Sequence, residues 1–240
     1  MTESSRRAGR AEAGDRYIVR FGRSVYQALG LVVAAGVALS ACAGGEDEGE
    51  SRDRNDAPQG WSVCNELFGA GRIDRLQDEM GGGTLAVLNA GTPVGELMSG
   101  RASVARSWKP GSEAHYANTS RPCDLGIDGT SKRFHAYVSW SVDSPEDIRA
   151  GDAGEGWQSL GKDVYVRRED GGLHLTAAIP CKIEGSHKAQ EAELPLEVET
   201  EVRNVPEFDT ELLSEMTAQL ARKLAHGLPC RNDPAVPSEL

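Results

Sequence analysis

The chain has 240 residues and a formal net charge of −11 at pH 7, because 37 Asp and Glu outnumber 26 Lys and Arg. Residues 1–41 contain six Arg and three acidic residues, so the remainder from Cys42 onward carries −14. A surface this acidic argues against nucleic acid as a partner and against adhesion to anionic lipid through a basic patch. The length from Cys42 to Leu240 suits one large domain or two small ones.

The N-terminal region has the organisation of an export signal. An Arg-rich segment, residues 1–24, precedes an uncharged stretch from Val25 to Ala41 that consists mostly of Ala, Val, Leu and Gly. This order predicts a secretory signal peptide. The apolar part is shorter than the roughly 20 residues that a transmembrane helix needs. Sec export, twin-arginine export and an internal start codon remain open alternatives.

The end of this signal carries the most specific motif in the chain. Leu39-Ser40-Ala41-Cys42 is a large aliphatic residue, two small residues and a cysteine. It resembles the lipobox of bacterial lipoproteins, and residues 25–60 as a whole resemble secreted lipoproteins of the actinobacterial type. The resemblance implies cleavage after Leu39, Ser40 and Ala41, a diacylglyceryl group on the thiol of Cys42, and a location on the outer face of the cell membrane. Two acyl chains are enough for stable anchoring. The alternative is an ordinary signal peptide with Cys42 as a structural residue.

The segment after the lipobox is expected to be a tether. Residues 42–60 comprise the lipidated Cys42 and a polar, acidic stretch without a large apolar residue. Such a composition cannot bury a core and predicts a solvated linker. A calcium-binding interpretation lacks the EF-hand pattern. The extracytoplasmic domain is therefore expected to span residues 61–240, as one unit or as two related halves at 61–143 and 157–232.

Four further cysteines predict disulfides. Cys64, Cys123, Cys181 and Cys230 form an even set in an exported domain, and four cysteines allow three connectivities. We favour Cys64 with Cys123 and Cys181 with Cys230, because each pair would join a helix to the sheet on which that helix packs. The wide spacing contains no CxxC pair, which disfavours a metal site.

The apolar pattern predicts the elements in chain order. A short helix that begins around Cys64 has Ile73, Leu76 and Met80 on one face and ends at residues 81–83. Short strands are expected at 84–89 and 93–98, with a weaker one at 101–108. Period-two alternation over 122–142 predicts a β-hairpin. Strands at 163–170 and 172–179 precede a second, similar hairpin that begins at 180–185 and returns over 194–202. Ser144 marks a helix start, and Asp209 is the N-cap of an amphipathic C-terminal helix.

These elements predict an α+β fold stabilised by disulfides. Its antiparallel sheet or sheets are built from two similar β-hairpins, with helices packed against them, including the C-terminal amphipathic helix. We expect a monomer. The pattern of two halves, each with a Pro-Cys-led strand, is compatible with an internal duplication.

No catalytic motif is present. HExxH, GxSxG, a P-loop and a complete GxGxxG are absent, and Ser159 to Lys162 matches SxxK without its partner motifs. We therefore predict no catalytic, cofactor-binding or metal-binding residue, and no cofactor. His135 and His174 fall mid-strand with Tyr137 and Tyr165 in similar settings. These residues could share one face of the sheet, and the role expected for each is structural or merely exposed.

Composition and motifs favour a function at the cell surface. The leading hypothesis is a non-catalytic, membrane-anchored binding module that presents a sheet face or edge to an envelope protein or a small ligand. The alternative is a cell-envelope hydrolase or small-ligand-binding protein whose site is assembled from distant residues. A purely structural spacer is the third class.

Overall fold

The computed structural model describes residues 59–112, 119–162 and 164–240. The predicted signal peptide, its recognition residues Leu39, Ser40 and Ala41, the lipidation site Cys42 and the tether up to residue 58 lie outside the described residues. The first helix begins at Gln59, two residues before the expected start of the domain.

The described residues form an α+β fold, as predicted. The helices are α1 (Gln59–Phe68), α2 (Ala70–Glu79), α3 (Val94–Ser107), α4 (Pro145–Ala150), α5 (Gln190–Glu193) and α6 (Thr210–Gly227). The strands are β1 (Leu85–Val87), β2 (Ser120–Ile127), β3 (Arg133–Trp140), β4 (Trp157–Leu160), β5 (Val164–Glu169), β6 (His174–Ile179) and β7 (Leu196–Arg203). A 3₁₀ turn at Asp170–Gly172 joins β5 to β6.

The strands make one seven-stranded sheet in the order β1-β2-β3-β7-β6-β5-β4, and every neighbouring pair is antiparallel. The last strand in sequence, β7, is the central strand. It joins the meander β1-β2-β3 to the meander β4-β5-β6, pairing with β3 over Leu196–Arg203 and with β6 over Leu196–Glu201. The sheet is therefore continuous only when β7 is in place.

Alternate side chains of the strands form the main core with α1, α2, α3 and α6. Phe134, Ala136 and Val138 of β3 are fully buried, and so are Leu196 and Val198 of β7. Phe68 of α1 packs edge-to-face on Phe134, with ring centroids 5.4 Å apart. Burying one such side chain contributes about 1.5–3 kcal/mol. Because β-strand side chains alternate between the two faces of a sheet, the other half of these residues points away from the four helices.

Helix α6 has the ends and the apolar stripe that the sequence predicts. The Asp209 carboxylate accepts a hydrogen bond from the backbone N–H of Glu211 at 2.9 Å, which satisfies one donor of the first turn. Leu213, Met216 and Leu220 are fully buried. Thr217 adds a polar link inside the core, because its hydroxyl lies 2.5 Å from that of Thr200 on β7.

Both predicted disulfides are present, with the favoured pairing. Cys64 on α1 is bonded to Cys123 on β2, and Cys181 after β6 is bonded to Cys230 after α6. The Cα atoms in each pair are 5.1 Å apart, within the usual range for a disulfide. Each bridge thus links a helix-containing segment to the sheet or to the end of a strand.

Helix α3 replaces two predicted strands, and that prediction was wrong. Both segments lie in one helix, Val94–Ser107, because Val94, Leu97, Ala102 and Ala105 recur at helical spacing and are buried. Arg101 lies in the same buried stripe and interrupts its apolar pattern. Its guanidinium reaches the carbonyl of Val138 at 3.4 Å.

The second predicted hairpin differs in detail. Residues 181–183 do not pair with the return strand; Ile183 instead forms an isolated bridge with Cys230. The side-chain amide of fully buried Gln190 hydrogen-bonds the backbone of this segment. It accepts from the N–H of Ile183 at 2.9 Å and donates to the carbonyl of Cys181 at 2.8 Å. The return strand is β7, which pairs with β6 and β3.

Candidate binding surface

The sheet face turned away from α1, α2, α3 and α6 is polar, and we call it the polar face. Residues that are directly opposite each other in an antiparallel sheet share a face. The register places Asp124, His135, Glu201, His174 and Glu169 in one row across β2, β3, β7, β6 and β5. The next row contains Tyr137, Glu199, Thr176, Arg167 and Trp157, and the third contains Ser139, Glu197, Ala178, Tyr165 and Ser159. The polar face is defined by these fifteen residues together with Arg121, Arg133 and Arg203 at its margins.

Helix α4 covers one part of the polar face. Ile148 of α4 packs with Tyr165 and Ala178 in a small apolar cluster separate from the main core. The helix starts with a capping box, in which the Ser144 hydroxyl accepts from the N–H of Asp147 and the Asp147 side chain accepts from the N–H of Ser144. The side chains of Tyr137, His174 and Glu199 remain partly exposed beyond this cover.

At the β2–β3 side, His135 is held by Asp124. Its Nδ1 lies 2.9 Å from the Asp124 Oδ1, and both side chains are buried. Arg121 contacts the other Asp124 oxygen at 3.2 Å, and its guanidinium stacks 4.8 Å from the centroid of Tyr137. Burial lowers the pKa of His135 despite the opposing attraction of Asp124, so the imidazole is neutral at neutral pH. In enzymes that use histidine as a general base, a carboxylate bonded to one imidazole nitrogen orients the ring in the same way.

At the β6 side, His174 lies between two carboxylates. Its Nε2 is 3.0 Å from the Glu199 Oε1 and its Nδ1 is 3.5 Å from the Glu169 Oε2. The hydrogen bond to Glu199 raises the pKa of His174, and it outweighs the effect of burial. Arg167 also reaches Glu169, at 3.4 Å, and stacks on the ring of Trp157 at 4.9 Å. This arrangement favours the imidazolium form of His174.

The carboxylates of β7 occupy the centre of the polar face. Glu201 is hydrogen-bonded by Arg203. Glu197 accepts from the hydroxyls of Ser141 at 2.7 Å and Ser139 at 3.1 Å. Burial raises the pKa of Glu197, although the two serine hydroxyls act in the opposite direction. Among the described residues, Glu197 and Glu199 contact no Lys or Arg.

The structure places His187, His226 and Lys162 outside the polar face. His187 is exposed beside Trp108, and His226 is exposed in the last turn of α6; His115 lies outside the described residues. Ser159 lies on the polar face at the β4 edge of the sheet, where its hydroxyl donates to the carbonyl of Gly161. Lys162 follows β4 in the turn before β5. Lys162 lines an open groove of about 450 Å³ with Leu160, Val236, Pro237 and Glu239.

The structure places His135 and His174 on one face of the sheet, an arrangement that the sequence allowed. Tyr137 and Tyr165 lie on the same face. The sequence did not single out Asp124, Glu199 or Glu169, because their contacts with the histidines depend on pairing between strands that are distant in sequence. The alternation of apolar and polar residues along each strand could be recognised in the sequence. The order of the strands in the sheet could not.

Two searches of the described part of the chain gave negative results. It contains no group of three or more His, Cys, Asp or Glu residues arranged to hold a metal ion. None of its helices combines the length and the apolar character needed to cross a membrane. Comparison of the chain with protein-family models, curated proteins and solved structures gave no match.

Proposed function

We propose that this protein is an extracytoplasmic lipoprotein, anchored through Cys42, whose domain is a non-catalytic binding module of the cell envelope. The anchor is supported by the lipobox-like residues Leu39, Ser40 and Ala41. An oxidising location is supported by the two disulfides, because disulfides form and persist outside the reducing cytoplasm. The acidic stretch after Cys42 would hold the domain away from the lipid headgroups.

The observation that carries the binding role is the polar face. Helices cover the opposite face of the sheet with a large apolar core, whereas this one presents an ordered array of ion pairs and stacked guanidinium–aromatic pairs. Tyr137 and Trp157 supply amphipathic rings of the kind enriched in protein interfaces. Such a preorganised surface loses little conformational entropy when it binds.

Site-specific photocrosslinking in living cells tests the binding role in the full-length protein. A photoreactive amino acid replaces Tyr137 on the polar face, and the matched control replaces Glu66, which is exposed on α1. We expect a discrete crosslinked adduct from position 137 and none from position 66. Equal adducts at both positions, or none at position 137, would contradict the proposal.

The anchor is tested separately by membrane fractionation and intact mass. The wild-type chain should be recovered in the membrane fraction with the mass of a diacylglyceryl group on Cys42. Cys42→Ala should move the protein to the soluble or secreted fraction, whereas Gly45→Ala should remain in the membrane. Retention of the Cys42→Ala variant in the membrane would refute lipid anchoring at this residue.

A further inference from the structure

The turn between β5 and β6 has an unfavourable backbone conformation. Asp170, Gly171 and Gly172 have φ values of 50°, 67° and 93°, so three successive residues lie in the left-handed region. This region is costly for a residue other than glycine, although Asp tolerates it better than most. The N–H of Leu173 closes the turn on the carbonyl of Asp170 at 3.3 Å, and the carbonyl of Leu173 accepts from the N–H of Val202 on β7 at 2.8 Å. Contacts that fix the ends of this turn therefore stabilise it.

The side chain of His174 makes two such contacts. His174 is the first residue of β6, and its ring lies between Glu169, the last residue of β5, and Glu199 of β7. Each ring nitrogen faces a carboxylate oxygen, at 3.5 Å for Glu169 and at 3.0 Å for Glu199. A neutral imidazole carries one N–H and cannot donate to both carboxylates, whereas the imidazolium has an N–H on each nitrogen. The position of the two carboxylates therefore matches the protonated ring.

We infer that His174 is a pH-dependent clasp, which holds the β5–β6 turn against β7 as an imidazolium and releases the turn as a neutral imidazole. The inference goes beyond the proposed binding function and does not depend on it. The turn lies at the end of the polar-face row that contains Glu169 and His174, so pH would set how firmly this border of the face is held.

The contact with Glu169 is the one that deprotonation breaks. It is longer than the contact with Glu199, and the Glu169 side chain is 44% exposed against 29% for Glu199. When the proton on Nδ1 passes to water, the nitrogen lone pair faces the Glu169 carboxylate, and the two repel each other. Glu169 keeps its second partner, Arg167, at 3.4 Å, and Nε2 of His174 keeps Glu199. The link between the end of β5 and β7 is then lost.

The charges around His174 set the pH at which the clasp opens. The charged groups that face the ring are Glu169 and Arg167 from β5 and Glu199 and Glu201 from β7, of which Glu201 is paired with Arg203. The contact with Glu199 raises the pKa of His174, and burial acts in the opposite direction. Because the folded-state pKa is raised, the clasp is closed below the ordinary histidine value of 6.5 and opens as pH rises through the raised pKa.

Amide hydrogen exchange of the purified protein, measured by NMR, tests the clasp. Each protection factor is corrected for the intrinsic exchange rate at its pH. The N–H groups of Leu173 and Val202 report on the turn, and the control is the N–H of Thr130, which is bonded to the carbonyl of Ile127 in the β2–β3 turn. Between pH 6 and pH 8.5 we expect the protection factors of Leu173 and Val202 to fall about two- to five-fold, as for a partly exposed ion pair. No change at these amides would overturn the inference, and so would an equal change at Thr130, which would indicate a loss of global stability.

Two variants distinguish a clasp from a simple pair between His174 and Glu199. His174→Gln should show at pH 6 the lower protection that wild type has at pH 8.5, without further change as pH rises. In Glu169→Gln the imidazole protons of His174 should still titrate above the ordinary value, but the protection of Leu173 should no longer follow that titration. Glu155→Gln changes an exposed residue just before β4, and it should behave as wild type. If the protection of Leu173 still follows the titration of His174 in Glu169→Gln, the contact with Glu169 does not hold the turn and the inference fails.

Discussion

His135 and His174 lie on opposite sides of Glu201 in one row of the sheet, since the Cα atom of each is paired with that of Glu201, one from β3 and the other from β6. Their environments nevertheless displace their pKa values in opposite directions. Burial lowers the pKa of His135, and the hydrogen bond to Glu199 raises that of His174. One surface thus contains a histidine that resists protonation and one that favours it.

This difference predicts opposite effects of pH on stability. A raised pKa in the folded state stabilises the protein at acidic pH, and this contribution is lost as pH rises through the raised pKa of His174. A lowered pKa has the reverse effect, so stability is lost as pH falls from the ordinary histidine value through the lowered pKa of His135. NMR titration of the imidazole protons should show His174 titrating above the ordinary value and His135 below it.

Denaturation at several pH values checks the energetic consequence. His174→Gln should destabilise the protein by about 1 kcal/mol at pH 5.5 and by less at pH 8, because only the imidazolium forms the charged pair with Glu199. His135→Gln should lose more stability relative to wild type at pH 8 than at pH 5.5. If the loss of stability changed with pH in the same direction for both variants, the opposite pKa shifts of the two histidines would be contradicted.

Glu197 should make the protein less stable as pH rises. Its raised pKa means that the unfolded state releases its proton at lower pH than the folded state. Stability should therefore fall as pH rises through the range from the ordinary glutamate pKa to the raised value. Glu197→Gln keeps an acceptor for Ser141 and should stabilise the protein by about 1 kcal/mol at pH 7, with little effect at pH 4. Exposed Glu207→Gln is the control, and an equal gain from it would exclude burial of Glu197 as the cause.

Each disulfide should contribute substantially to the free energy of unfolding. The cysteines are separated by 59 and 49 residues, and closing loops of this length removes chain entropy worth about 4 kcal/mol per bridge. We expect Cys64→Ser/Cys123→Ser and Cys181→Ser/Cys230→Ser each to lower the midpoint of urea denaturation strongly. Cys42→Ser, at the expected lipidation site, should leave it unchanged. A loss below about 1 kcal/mol for either pair would show that the bridge does not constrain the unfolded chain.

Gly60 should not tolerate a side chain. A Cβ atom on this residue of α1 would lie 2.4 Å from the backbone carbonyl oxygen of Asn89 and 2.3 Å from a methyl carbon of Val87. Because backbone cannot move as easily as a side chain, Gly60→Ala should cost about 1–3 kcal/mol despite the higher helix propensity of Ala.

Gly71 is the matched control for that substitution. It lies in α2, and apart from its chain neighbours and the backbone of its own helix turn, no heavy atom would lie within 4 Å of a Cβ atom there. Gly71→Ala should stabilise the protein by up to about 1 kcal/mol through helix propensity alone. Thermal denaturation of the two variants should move Tm in opposite directions, and a higher Tm for Gly60→Ala would show that α1 and the β1 region are not in close contact.

Sequence patterns predicted those helices and strands that depend mainly on residues close to one another in the chain. The capping residue Asp209 and the apolar stripe predicted α6, and alternation over 122–142 predicted β2 and β3. Helix α3 was missed because Arg101 occupies a buried position in its stripe. That arginine is accommodated because β3 supplies the carbonyl of Val138 and β2 supplies the hydroxyl of Ser120, and its guanidinium points to both.

Long-range pairing limited the prediction of the site. Nothing in the segment around His174 indicates that its partner strand is β7, or that Glu199 will be within hydrogen-bond distance. The cysteines gave more long-range information, because their number and their places near predicted helices and strands restricted the pairings to a few.

The position of β7 has a consequence for how the protein is made. Of the seven strands, the one that joins the two meanders is the last to be synthesised, so the ribosome releases the other six before the sheet can be completed. Until then β3 and β6 each have an unpaired edge, and unpaired strand edges readily associate with other chains. Contacts between residues distant in sequence also slow folding. The sheet therefore keeps two open strand edges until β7 is synthesised, and these edges are exposed to pairing with other chains during that time.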